Sequence, residues 1–306
     1  MCLPSLAQSD AYPSKPITMV IPLSAGGSND ILGRYLGEGL SKALGQPVVV
    51  ENKPGAGSAL GSAYVAKSKP DGHTIMFVSS TYATNAATQS ELPFDPIKDL
   101  APVALTATSQ FVLVVSPAVK AKSFEEFITE AKSQKMFYAS TGVGSSTQFA
   151  AELFNQRAGI GMTPVHYKGG TEALVDLIGG RAHAYFGTVT QVLPYVTNGQ
   201  VRPIVITSKV RNAALGDVPT VGEKGLTGAE TDIWWGVFVP AGTPDPVVSK
   251  LNKAINDVMA TPESKEFLKK LGAEFTAETP DQFRQRVHNE IKTWKDLAKE
   301  RGISAK

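Results

Sequence analysis

The chain has 306 residues, 42% of them hydrophobic, and 30 Lys and Arg against 28 Asp and Glu, a formal net charge of +2. That length provides core for about two domains, and so small and scattered a charge excludes a nucleic-acid surface. The sequence lacks the run of ~18 apolar residues that a membrane-spanning helix needs. The lone cysteine, Cys2, excludes disulfides and cysteine-based metal sites.

Residues 1–11 read as an expression start followed by the stub of a removed export signal, because Ser5-Leu6-Ala7-Gln8 resembles the small-residue end of such a signal. A disordered cytoplasmic N-terminus is the competing reading of the same residues. The pattern then repeats strand, glycine loop and helix. Thr18–Pro22 is an apolar strand that runs into Ser24-Ala25-Gly26-Gly27-Ser28, and Asn29 or Asp30 is placed to cap a helix reaching Leu44. Val48–Val50 reads as a buried strand. The loop after it holds Pro54-Gly55-Ala56-Gly57, and a helix follows from Ser58 to about Lys67. Thr74–Val78 is a third strand, ending at Ser79-Ser80-Thr81.

The second half follows the same order. Phe137–Ala139 is a strand that ends in the small residues Ser140–Ser146, before a helix to about Arg157. Pro164–Tyr167 runs into Lys168-Gly169-Gly170, a helix covers Thr171–Ile178, and Ala182–Phe186 is a strand ending at Gly187-Thr188. Strands alternating with helices imply right-handed βαβ units and parallel sheets flanked by helices. Phe111–Val115 and Trp234–Val239 lie on either side of the second half and suit two crossovers. The expected architecture is therefore α/β with a discontinuous first domain, residues 12–115 plus 236–306, and a second domain over residues 116–235. Pro246–Met259, Pro262–Leu271 and Pro280–Arg301 read as closing helices, each started near a proline, and the last as a solvated outer face.

Catalytic chemistry is poorly represented. The chain contains neither G-x-S-x-G nor the phosphate-loop G-x-x-x-x-G-K-[ST]. His73, His166, His183 and His288 stand singly without metal-ligand spacing; His166 and His183 fall in strands, and His73 and His288 read as surface. Gly55–Gly61 is a loose dinucleotide-type loop, but Asn52-Lys53-Pro54 separates it from its strand and the next strand ends in Ser79-Ser80 rather than an acid. A cytoplasmic nucleotide-dependent enzyme using this loop is the alternative from another functional class. The loops at the strand carboxyl ends are rich in Gly, Ala, Ser, Thr and Asn instead. Such a turn aims backbone N–H groups and the positive end of a helix dipole at a bound anion. These loops suit reversible recognition of a carboxylate and supply no acid, base or nucleophile for turnover.

The stretches YPSKPITMVIPLSAGGSND, VVVENKPGAGSALGSAYVAKSKPDGHTIMF, LPFDPIKDLAPVA, STGVGSSTQFAAELF, VHYKGGTEALVDLIGG and WWGVFVPAGTPDPVVSKLN, in this order, resemble the periplasmic solute-binding proteins of tripartite tricarboxylate transporters, the Bug family. The resemblance runs from about Tyr12 to Ile303. It implies a two-lobed periplasmic clamp without cofactor or metal that closes, as a monomer, on a small carboxylate for membrane transporter subunits or a sensor kinase. The family's carboxylate-holding loops map onto Ser24–Asp30 and Ser140–Gln148. One jaw would be Ser24, Ala25, Gly26, Gly27, Ser28 and Asp30; the other would be Ser140, Gly144, Ser145, Ser146 and Thr147. Ser79, Ser80, Thr81 and Asn85 would form the floor, with Tyr167, Thr188, Thr190 and Trp235 around the ligand. Gly187-Thr188 stand where family members often carry an Asp, which argues against an amino-acid ligand. Tyr82, Phe111, Tyr167, Trp234 and Trp235 lie near strand ends; rings there would rim the cleft and favour an aromatic mono- or dicarboxylate, or else fill the core.

Overall fold

The computed structural model describes residues 12–89 and 91–304. The signal-like residues 1–11 lie outside the described residues. In the first lobe β1 (Ile17–Ile21) leads into α1 (Ser28–Leu44), β2 (Val48–Asn52), α2 (Ala59–Ala66), β3 (Thr74–Ser79) and α3 (Thr81–Thr88). The long strand β4 (Leu100–Val115) leads to the second lobe. There α4 (Phe124–Ser133), β5 (Phe137–Ser140), α5 (Ser146–Ala158), β6 (Thr163–His166) and α6 (Gly170–Ile178) follow in turn. They are succeeded by β7 (Ala184–Thr188), α7 (Val189–Thr197) and β8 (Arg202–Ile206). The chain returns through β9 (Asp232–Pro240) and ends in α8 (Asp245–Met259), α9 (Pro262–Lys270), β10 (Ala273–Glu274) and α10 (Pro280–Arg301).

The main path of the sheet runs β2-β1-β3-β9-β4-β7-β5-β6. β1, β2 and β3 pair in parallel, as do β5, β6 and β7, whereas β9 and β4 are antiparallel to their neighbours. Each lobe is thus mostly parallel, and two antiparallel crossing strands join them. β4 pairs with β9 up to Gln110 and with β7 from Phe111 onward. The strand changes lobe at that step without a break.

Several local expectations need correction. β2 is an edge strand, not a buried one: it pairs with β1 alone among the described residues, and Val49 is 50% exposed. Neither Asn29 nor Asp30 caps α1; the cap position is Gly27, with extended backbone and no side-chain hydrogen bond. His73 is half-buried rather than a surface residue, its ring edge-on to Tyr12 at 5.1 Å. The last helix is more than a solvated face. Phe283, Val287 and Ile291 of α10 are buried with Trp234, Phe238 and Tyr82, and Leu297 and Ala298 pack on Phe149 and Leu153 of α5 in the other lobe. A capping box at Thr279 and Gln282 fixes where this helix begins.

Phe283 is fully buried and meets the Trp234 ring edge-on at 5.1 Å and Phe238 at 5.4 Å. Phe283→Ala should destabilise the protein by about 3–5 kcal/mol in urea unfolding, the usual cost of emptying a large aromatic site.

On the same helix, Glu290 accepts hydrogen bonds from the indole N–H groups of both Trp234 and Trp294. Desolvation pushes its carboxyl up to about 7, against the opposing pull of the two indoles and of Arg286. The folded protein therefore keeps this proton at pH values where the unfolded chain, with its pKa near 4.5, has released it. The stabilisation is present in full below pH 4.5 and is lost as pH rises towards 7. Denaturant midpoints should fall across that window, and Glu290→Gln should flatten the fall.

Candidate functional site

The carboxyl ends of β1, β3, β5, β6 and β7 converge on one cavity of about 340 Å³ between the lobes, a size suited to a small organic molecule. Each strand ends in small residues and hands over to a helix, so helix N-termini approach the cavity from both sides. The first lobe contributes Ser24, Ala25, Gly26, Gly27, Ser28 and Asn29 from the β1–α1 loop, with Ser79 and Thr81. The second contributes Thr141, Ser146 and Thr147, the run Lys168–Glu172, then Thr188 and Gln191.

The N-termini differ in an informative way. Ser145 caps α5 by accepting the Gln148 amide, and Thr188 caps α7 by accepting that of Gln191. In contrast α1 begins at Gly27 and α6 at Gly169, neither of which has a capping side chain. First-turn amides have no acceptor inside their own helix. Those of Ser28 and Asn29 in α1, and of Gly170 and Thr171 in α6, have none elsewhere among the described residues. The two ends nearly touch: a Cβ built on Gly26 would lie 3.8 Å from Thr171 Oγ1, and one on Gly169 would lie 3.8 Å from Ser24 Cβ. Thr81 and Ser146 join the lobes directly through a buried hydroxyl pair at 3.0 Å. A chamber with unsatisfied donors on two opposed walls results.

Other expected residues stand behind this wall and hold its shape. Asp30 accepts the Gly26 amide at 3.1 Å and pairs with Arg34 at 2.9 Å. That arrangement consumes the Gly26 donor and leaves Ala25 and Gly27 as the free backbone of the loop. Desolvation opposes the ionised form of Asp30, but the Arg34, Gly26 and Asn52 hydrogen bonds together hold its pKa below the usual carboxylate value. In the facing loop the Thr147 hydroxyl accepts the Thr141 amide at 2.9 Å and contacts Ser145 Oγ at 3.0 Å, while the Gly144 amide donates to Gln148 at 2.7 Å. Ser140 meets His166 Nδ1 at 2.6 Å, and desolvation lowers the His166 pKa. His183 likewise serves the frame, its Nδ1 accepting the Phe137 amide. Asn85 donates to Ser58. Ser80 and Thr190 are buried, each with a hydroxyl that finds no partner among the described residues, as is the Trp235 indole N–H.

The aromatic residues sort differently from the cleft-wall expectation. Tyr82 on α3, Phe111 inside β4, and Trp234 and Trp235 near the start of β9 are buried in the core, Tyr82 and Trp234 in the cluster that also holds Phe283 of α10. Tyr167 faces a side chamber and donates to Asp176 at 2.9 Å. The ring that does line the main cavity is Tyr185, whose hydroxyl donates to Gln191. Gly187 has no room for the family's acid: a Cβ there would lie 2.2 Å from Val192 and 2.7 Å from the Tyr185 ring. Gly144 also differs from a simple turn glycine, since its φ is +76° and a Cβ would meet Thr88 Oγ1 at 2.3 Å.

Sequence reasoning passed over Lys168, Gly169, Thr171, Glu172 and Gln191 as site residues. A signal for the first four was present, because Lys168-Gly169-Gly170 repeats the strand, double glycine and helix order of the β1–α1 loop. Among the described residues no cluster of His, Cys, Asp and Glu could hold a metal ion, and no helix is long and apolar enough to cross a membrane.

Comparison with known proteins agrees with this geometry. BugT of Bordetella pertussis is 33% identical over 302 residues, covering 97% of this chain and 93% of that protein. A Rhodopseudomonas palustris protein solved with adipate superposes with a TM-score of 0.92 at 31% identity, covering 96% of this chain and 99% of that one. MatC of the same organism, solved with bound malate, gives a TM-score of 0.87 at 31% identity over 94% of this chain and 99% of that one. The family described as "Tripartite tricarboxylate transporter family receptor" matches residues 32–303. With the periplasmic-binding-protein fold and two strand-end loops opposed across one cavity, the chain belongs to that family of solute-binding receptors.

Proposed function

We infer that this protein is a periplasmic receptor that closes its lobes on a small aliphatic carboxylate and delivers it, as a monomer, to the membrane subunits of a tripartite tricarboxylate-type transporter. The observation that carries the reading is the meeting of two uncapped helix N-termini, α1 and α6, over one cavity. A carboxylate between them accepts amides from both lobes and faces two positive dipole ends, each worth up to ~2 kcal/mol in a partly buried geometry. The relatives solved with adipate and malate support a carboxylate ligand. The burial of Trp234, Trp235 and Phe111 supports an aliphatic rather than an aromatic one. The closed Gly187 position supports a ligand without an ammonium group, and Glu172 already accepts the Lys168 amide at 3.1 Å. In this reading residues 12–115 with 236–306 move against residues 116–235 about the two crossing segments, a hinge closure.

Gly27 gives a clean test. Its φ is −86°, and a Cβ there meets nothing within 4 Å, so the fold tolerates a side chain where the ligand would not. Calorimetry over a panel of aliphatic carboxylates should find a ligand whose affinity falls at least tenfold, ~1.4 kcal/mol, in Gly27→Val. Thermal stabilisation by nucleotides and by none of the carboxylates would overturn the reading in favour of an enzyme using the Gly55–Gly61 loop.

A further inference from the structure

The main cavity does not end at its own walls. A second chamber of about 410 Å³ opens beside it, and the two share Leu23, Ser24, Thr141 and Lys168, which form the neck between them. The far walls of the side chamber are residues 54–58 of the first lobe and Gly142, Val143 and Tyr167 of the second.

Its chemistry is one-sided. Among the described residues no carboxylate lines it, while Lys168 at the neck brings a cation whose ammonium forms no ion pair with them. The Gly55–Ser58 wall is built from four consecutive residues with positive φ, two of them, Ala56 (+45°) and Ser58 (+95°), not glycine. Strained backbone of this kind persists where surrounding structure enforces it, and it concentrates at ligand clamps. The Ser58 amide turns back to Gly55 O, whereas those of Ala56 and Gly57 have no acceptor among the described residues. Successive amides in left-handed backbone form a concavity that favours anions.

We propose that this side chamber receives the distal carboxylate of an extended dicarboxylate, with Lys168 as its countercharge and the Ala56-Gly57 backbone as its cradle. The proposal rests on the reading above and deepens it: the first carboxylate sits between α1 and α6, and the chain of the ligand passes through the neck. A monocarboxylate of equal length fills the same space but leaves Lys168 unpaired. The site therefore discriminates by the second charge, at a position reached only by a ligand long enough to pass the neck.

Calorimetry with adipate and hexanoate, two six-carbon acids differing in the second carboxylate, tests this on the intact protein. Adipate should bind at least tenfold more tightly than hexanoate. The Lys168→Met variant should bring that ratio below threefold, and Lys168→Arg should keep most of it. Taking the ratio separates the distal contact from any general loss of binding, which lowers both affinities together. A wild-type ratio near one, or a ratio unchanged in Lys168→Met, overturns the distal subsite while hexanoate binding leaves the carboxylate receptor standing. Failure of both acids to bind, with every other carboxylate of the panel also inert, overturns the receptor and the subsite alike.

Discussion

One strand holds the two halves of this molecule in register. β4 exchanges hydrogen bonds with β9 through Gln110 and with β7 and β8 from Phe111 onward, so both sheets are templated on a single extended backbone. Ladder hydrogen bonds fix the position of each neighbouring strand, and strand ends fix where the loops emerge. β3, through β9, and β5, through β7, take their places from that template, and the cavity lies where their loops meet. The strand accommodates the necessary bend through register shifts between Pro102 and Ala104 and between Leu105 and Ala107.

The cavity recognises charge without presenting much of it. Among its lining residues, Lys168 and Glu172 are the ones charged at neutral pH; most of the others offer backbone, hydroxyl or amide groups, beside the apolar Leu23 and Ile233. Charge-assisted hydrogen bonds to an ionised acceptor are about twice as strong as neutral ones, yet neutral donors cost far less to desolvate than lysine or arginine. That combination suits capture and release. The caps of α5 and α7 each take one first-turn donor, the Gln148 amide on Ser145 and the Gln191 amide on Thr188, whereas α1 and α6 lose none to a capping side chain. Glycine at both open caps is what withholds a competing side-chain acceptor.

The same physics decides what was legible in the sequence. The β1–α1 and β5–α5 loops announced themselves through apolar runs that stop abruptly in Gly and Ser, and α8, α9 and α10 through proline and acidic first turns. α3 and α7 did not. Thr81–Thr88 is uncharged and rich in Thr, and it is buried almost throughout, so it lacks the polar face that betrays an amphipathic helix. Val189–Thr197 carries β-branched residues and Pro194 in its interior. α4 was overlooked despite a readable signal, Ser123 accepting the Glu126 amide at its start. The first eleven residues of β4 were hidden by Pro102, which a sheet tolerates here because it sits at a bulge. The aromatic residues misled for a different reason. Position near a strand end places a ring at the right height but leaves its face undecided, and alternation along β9 turned Trp234 towards Phe283 of α10 and Trp235 into the core.

Closure and binding have to be balanced for a receptor that releases its cargo. Two of the places where the lobes touch differ in character. At the cleft the contacts are polar and few, the Thr81–Ser146 hydroxyl pair above all, and such a bond contributes about 1 kcal/mol net. Across the back, α10 lays Trp294, Leu297 and Ala298 against Phe149 and Leu153 of α5, an apolar contact whose Trp294 indole is tied in turn to Glu290. Phe149 and Leu153 do not line the cavity, so the apolar contact steadies the joint without occupying the site. In a protein that opens and closes, a ligand shifts that equilibrium only by its differential affinity for the closed form. Here that difference is concentrated in donors split between two lobes. A carboxylate touching α1 alone meets donors of one lobe, whereas one reaching α1 and α6 together meets donors of both.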